Sequence, residues 1–178
     1  MHRRPLLAAL RSYGLDWPDE PMVDRFIRFV SAEPACFERS TLQGHVTASA
    51  WILDPAGTQV LMLHHRKLGK WLQPGGHADG DSDCLAVATK EVSEETGLRE
   101  FSVIEGVFDV DIHRIPARRD EAAHLHYDVR YAFHQQHAQT PIGNHESIEL
   151  KWFPVSQVAA WSEPSLARMA RKWMARKS

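Results

Sequence analysis

The sequence predicts an α+β fold, a mixed α/β sandwich. Three observations predict it: two stretches of apolar residues at helical spacing near the N-terminus, a β-rich chain from about residue 45 interrupted by one helix, and a basic helical segment at the C-terminus. Strands, a helix, more strands and a last helix do not give the regular alternation of a doubly wound parallel sheet.

Each element has a local reason. Residues 4–13 and then "DEPMVDRFIRFVSAEP" carry apolar positions at helical spacing, with Asp19 and Pro21 suited to starting the second helix. "HVTASAWILD" and "TQVLMLHH" are rich in β-formers, and "DPAGT" between them supplies turn residues, so they read as a hairpin. "LQPGG" follows as a turn. "DCLAVATKEVSEETGL" returns to helical periodicity and ends at Gly97, a natural helix stop. "FSVIEGVFDVDIHRI", "AHLHYDVRYAFHQQ" and "IELKWFP" read as three more strands, and "PSLARMARKWMARKS" as a terminal helix. Residues 1–40 are expected to form an N-terminal helical extension and 41–178 the main domain, the whole making one compact unit.

Composition narrows the partners. With 178 residues and 43% hydrophobic side chains the chain can bury a sizeable core, and a net charge of -2 gives no field that recruits nucleic acid or anionic membrane. The N-terminal apolar run is short and broken by Arg11, unlike a signal peptide or a membrane span. Cys36 and Cys84 belong to no CxxC pattern and read as reduced, buried thiols, so the expected location is cytoplasmic. The basic residues of the last helix, Arg168, Arg171, Lys172, Arg176 and Lys177, read as a solvated face, since aromatics other than Trp173 do not interleave with them.

The acidic stretch at 79–95 carries the chemistry. Asp79, Asp81 and Asp83 alternate like the first ligands of a calcium loop, but Cys84 stands where such a loop needs its sharp-turn glycine and Lys90 where it needs its bidentate glutamate. That reading fails. On the helix that follows, Glu91, Glu94 and Glu95 fall within roughly a third of the circumference. Like charges at these offsets repel, and a hard divalent cation with oxygen ligands, Mg²⁺ or Mn²⁺, would relieve them; a solvated acidic face is the plainer explanation.

With "PGG" just upstream, the stretch resembles the signature of the Nudix hydrolases: Gly, five residues, Glu, seven residues, then Arg-Glu-hydrophobic-any-Glu-Glu-any-Gly-hydrophobic. Gly76, Glu91, Val92, Glu94, Glu95, Gly97 and Leu98 stand in register. Ser82 replaces the first glutamate and Lys90 the arginine. The resemblance implies a Nudix fold with an N-terminal helical extension, and a metal-dependent pyrophosphohydrolase that cleaves the diphosphate linkage of a nucleoside diphosphate joined to another group. It also implies that Glu91, Glu94 and Glu95 serve as catalytic, metal-holding residues, helped by the carbonyl of Gly75. Gly76, in the small-residue turn, and His77, directly after it, are candidate contacts for the substrate phosphate. Glu146 from the later "NHESIELKW" segment is a further candidate ligand, and two readings stand for Asp81 and Asp83: one of them supplies the charge missing at Ser82, or both favour the helix start. The competing function is a catalytically weakened Nudix-fold module that binds or senses a nucleotide. Isoprenoid-type isomerisation on the same fold lacks a dedicated acid–base cysteine motif here.

Eleven histidines raise a second metal question. His124, His126 and Asp128 alternate on one strand and project to one face, either as a metal or substrate site, with His126 the candidate substrate contact, or as a polar sheet face. Trp71 and Trp152 flank the signature regions and either stack on a base or pack the core. The expected partner is a small nucleotide diphosphate derivative; neither duplex nucleic acid nor membrane is expected, and a homodimer is admitted.

Overall fold

The computed structural model describes residues 2–117 and 122–176. Its elements in chain order are α1 (Arg4–Asp16), α2 (Val23–Ala32), β1 (Gly44–Leu53), β2 (Gln59–His65), β3 (Lys70–Leu72), β4 (Gly75–His77), α3 (Cys84–Thr96), β5 (Phe101–Val103), β6 (Asp109–Ile115), β7 (His124–Gln135), β8 (Ser147–Pro154), α4 (Val155–Val158) and α5 (Pro164–Arg176). The architecture is α+β. Among the described residues no helix is long and apolar enough to cross a membrane. Lys177 lies outside the described residues.

The chain forms two compact units, 1–49 with 75–88 and 105–131, and 50–74 with 89–104 and 132–178. β1, α3 and β7 each run through both. In the first unit the buried faces of α1 (Leu6, Leu10, Tyr13) and α2 (Val23, Phe26, Val30) follow from their helical spacing. Tyr127 of β7 stacks on Phe29 at 3.8 Å and meets Phe26 edge-on at 5.5 Å. β4 pairs antiparallel with β1 (Thr47↔His77, Ser49↔Gly75), and β6 pairs with β7 (Asp109↔Arg130, His113↔His126).

In the second unit the hydrogen-bonded order is β3-β2-β1-β7-β5, with β8 also on β2. The expected hairpin closes at Leu53↔Val60. Trp71 lies against His64 (5.1 Å) and Phe153 (4.9 Å), so it packs within the sheet edge, and Trp173 of α5 donates its indole N–H to the Gly57 carbonyl at 2.9 Å. β1 is buried along all ten residues, which accounts for its continuous run of apolar and small side chains.

Four local expectations change. The stretch 101–115 is two strands, because Gly106 adopts a left-handed φ of 86° that interrupts the extended run. The second helix begins at Val23, not at Asp19 or Pro21, with no side-chain cap. The double glycine expected to turn is extended as β4: a Cβ on Gly75 would lie 2.7 Å from that of Ser49, so its missing side chain permits close approach to β1. Two short elements, β3 and α4, are additional; four residues or fewer carry too little periodicity to be seen in sequence.

α3 is well bounded. Asp83 accepts the backbone N–H of Ala86 at 2.9 Å, and Asp81 accepts that of Asp83 at 2.9 Å. Gly97 N–H closes the other end on the Ser93 carbonyl at 3.1 Å. Asp83→Ala is therefore expected to cost about 1 kcal/mol in urea unfolding, and Asp83→Asn a few tenths at most, because asparagine caps equally well.

Candidate active site

The three glutamates occupy the α3 segment that belongs to the second unit, and their exposure is graded. Glu95 is 6% exposed, Glu91 half-buried and Glu94 exposed. Helical offsets of three and four hold their carboxylates on one face, while Val92 and Leu98 go to the core. Carboxylates are the donor type that a hard divalent cation prefers, and the three share a helix face although no close three-carboxylate cluster is formed among the described residues.

Glu146 lies on an exposed loop tied to the same helix. Asn144, two residues earlier, donates from Nδ2 to the Glu94 backbone carbonyl at 3.2 Å and accepts the Glu146 N–H through Oδ1 at 2.9 Å. The Ile142 N–H also bonds the Thr96 carbonyl at 2.7 Å. The loop is thus anchored to the end of α3 that carries the glutamates.

The departures from the signature have visible surroundings. Lys90 Nζ lies 3.7 Å from Glu94 Oε1, both side chains more than half exposed. One ammonium at that distance steers the carboxylate weakly, where a guanidinium fork would hold both oxygens. Ser82 precedes the cap residue Asp83, and Asp81 and Asp83 are both engaged in local backbone bonds. That engagement favours their helix-start role over replacement of the missing glutamate.

Gly75, Gly76 and His77 form β4 in the first unit. His77 Nδ1 accepts from Arg39 Nη2 at 2.6 Å, and Arg39 Nε lies 3.9 Å from Asp79. Here Asp79 has a left-handed φ of 46°, followed by Gly80 at 88°, which turns the chain out of β4. His126 is half-buried among other histidines, while Asp128, expected beside it as a site residue, is engaged elsewhere. Thr47 Oγ1 (2.9 Å) and Ser49 Oγ (2.6 Å) donate to Asp128.

Sequence reasoning missed Arg130. Its Nε contacts Asp128 (2.7 Å), Nη1 contacts Asp109 (3.1 Å) and Nη2 contacts Asp111 (3.2 Å), with the side chain only 3% exposed. Burial pulls its pKa down, but the attraction of Asp128, Asp111 and Asp109 outweighs this and holds it above the ordinary arginine value. The alternation "DVD" in β6 and "DVR" in β7 was the available signal. The two cysteines are free and buried; burial raises Cys36 to about 11 and Cys84 to about 12, so neither offers a thiolate.

Comparison with solved structures finds the same fold at low sequence identity. A C. elegans Ap4A hydrolase binary complex aligns with a TM-score of 0.59 at 19% identity, covering 74% of this chain and 96% of that one. A MutT protein from Methanosarcina mazei Go1 gives 0.59 at 16%, covering 78% and 98%. The NUDIX domain of Shewanella oneidensis NrtR, complexed with ADP ribose, gives 0.56 at 15%, covering 85% and 97%. No curated protein matches the chain in sequence. The family model described as NUDIX domain matches residues 44–176, and with that match across most of its length the chain belongs to the NUDIX family.

Proposed function

We propose that the chain hydrolyses the diphosphate linkage of a nucleoside diphosphate joined to another group, with Mg²⁺ or Mn²⁺ held by Glu91, Glu94 and Glu95. As a NUDIX-family member it is a hydrolase of phosphoanhydride bonds; the substrate class, the metal and the ligand set are the proposed part. The observation that carries the reading is the glutamate face of α3, graded from buried Glu95 to exposed Glu94 on a helix closed at both ends. When bound, a divalent cation neutralises phosphate charge and polarises the attacking water.

The chain's own residues do the positioning. Buried Glu95 has restricted freedom and fixes one donor, and exposed Glu94 can turn from Lys90 towards a cation at little cost. The Asn144 tether keeps Glu146 on the loop joined to α3, which supports it as an additional ligand. The Ap4A hydrolase and ADP-ribose complexes among the similar folds support a nucleotide with a diphosphate or longer bridge as the ligand class. The test is incubation with dinucleoside polyphosphates, nucleotide sugars, ADP-ribose and nucleoside triphosphates plus Mg²⁺ or Mn²⁺, with products identified by mass. Cleavage within the phosphate bridge is expected; intact substrates throughout would defeat the proposal.

Lys90→Arg and Ser82→Glu are expected to raise kcat/KM on the substrate so found, together by about tenfold if roughly 1.4 kcal/mol of transition-state stabilisation is regained. Steady-state kinetics of the single and double variants checks this. Severe loss in Asp81→Asn or Asp83→Asn with no gain in the reverted forms would instead assign the missing charge to an aspartate.

A further inference from the structure

We propose that His45, His77 and His126 form a nitrogen-donor metal site for Zn²⁺, with His124 as the fourth donor. All four belong to the first unit and sit on strands: His45 on β1, His77 on β4, and His124 and His126 on β7. One ring nitrogen from each of His45, His77 and His126 lies within 4.8 Å of the other two. Around zinc, with Zn–N of about 2.0–2.1 Å, tetrahedral donors stand roughly 3.3 Å apart. The needed contraction is on the order of 1 Å, within the reach of χ rotation.

The fourth donor is nearly in place. His124 Nε2 is 3.2 Å from His126 Nε2, close to a tetrahedral edge. His124 Nδ1 is 2.9 Å from the Ala122 carbonyl; donating there fixes the tautomer and leaves the Nε2 lone pair facing His126. An ion would take the place of the proton that now joins the two rings.

The electrostatics agree. His45 is buried, and its ring centroid is 4.9 Å from those of both His124 and His126 and 5.0 Å from that of His77. Protonated imidazoles at such spacing would repel, and burial, then the nearby His77, His113, His45 and His124, lowers the pKa of His126 to about 2. His126 is thereby held as a neutral lone-pair donor, the form zinc binds. Two neighbours bear on the site. His113 Nδ1 lies 3.1 Å from Asp111, and Arg39 Nη2, 2.6 Å from His77 Nδ1 and 3.4 Å from Nε2, must withdraw from the ring, a small movement for an exposed side chain. Imidazole nitrogen favours zinc, whereas the carboxylates of α3 favour Mg²⁺ or Mn²⁺, so the two donor sets differ in the metal they select.

The test is Zn²⁺ calorimetry on chelator-stripped protein in excess Mg²⁺, with Co²⁺ absorption as an independent readout. The expected result is one Zn²⁺ per chain that Mg²⁺ does not displace, and a Co²⁺ spectrum of tetrahedral type. His77→Asn and His126→Asn should each weaken zinc binding by at least about tenfold, whereas Glu94→Gln should leave it unchanged. Absence of stoichiometric zinc, equal affinity in both histidine variants, or loss in Glu94→Gln would overturn the site. Should both histidine variants fail to fold, the wild-type Co²⁺ spectrum decides: tetrahedral upholds the site and octahedral overturns it.

Discussion

Glu95→Gln is expected to lower kcat by at least about a hundredfold, and Glu94→Gln to do the same, with the fold intact in both. Glutamine keeps the shape of each side chain and removes the charge that would attract a cation. At Glu95, which is 6% exposed, the substitution keeps the packed shape, so the protein is expected to remain folded while activity is lost. At Glu94 it removes only an exposed pairing with Lys90, worth about 0.5 kcal/mol or less. Initial rates and thermal unfolding measured together separate a catalytic role from a structural one. Wild-type rates in either variant would remove that glutamate from the metal-binding set.

Arg130→Met should destabilise the protein by about 3–5 kcal/mol, the largest stability effect expected from any single change considered. The substitution keeps much of the side-chain length but leaves Asp109, Asp111 and Asp128 buried without their shared cation. Arg130→Lys should recover only part of the loss, because one ammonium cannot reproduce three guanidinium contacts on three carboxylates. Urea unfolding gives both values. A change below about 1 kcal/mol for Arg130→Met would show that the aspartates do not depend on Arg130.

The sequence made α3 and the β1–β2 hairpin readable because their signals are local: apolar periodicity, the Gly97 stop and turn residues between β-formers. The signature likewise named the glutamates within a single helix. What remained hidden depends on pairing between distant segments. The double glycine looks like a turn until β1 is beside it, where the close approach of Gly75 to Ser49 requires an extended glycine. Arg130 is an ordinary strand residue until the β6–β7 register sets it opposite Asp109 and places Asp111 opposite Asp128. His124 and His126 were visible as an alternating pair, but the β1–β4 pairing is what brings His45 and His77 to the same place.

The most direct test follows hydrolysis and binding of one cleaved nucleotide substrate in parallel, for the wild type and for Glu94→Gln/Glu95→Gln. The wild type is expected to form product only with Mg²⁺ or Mn²⁺ present and to stop in chelator, and the double variant is expected to lose that activity. Product formed at the wild-type rate in chelator or in the double variant would contradict this, as would tight nucleotide binding by the wild type with no product after long incubation.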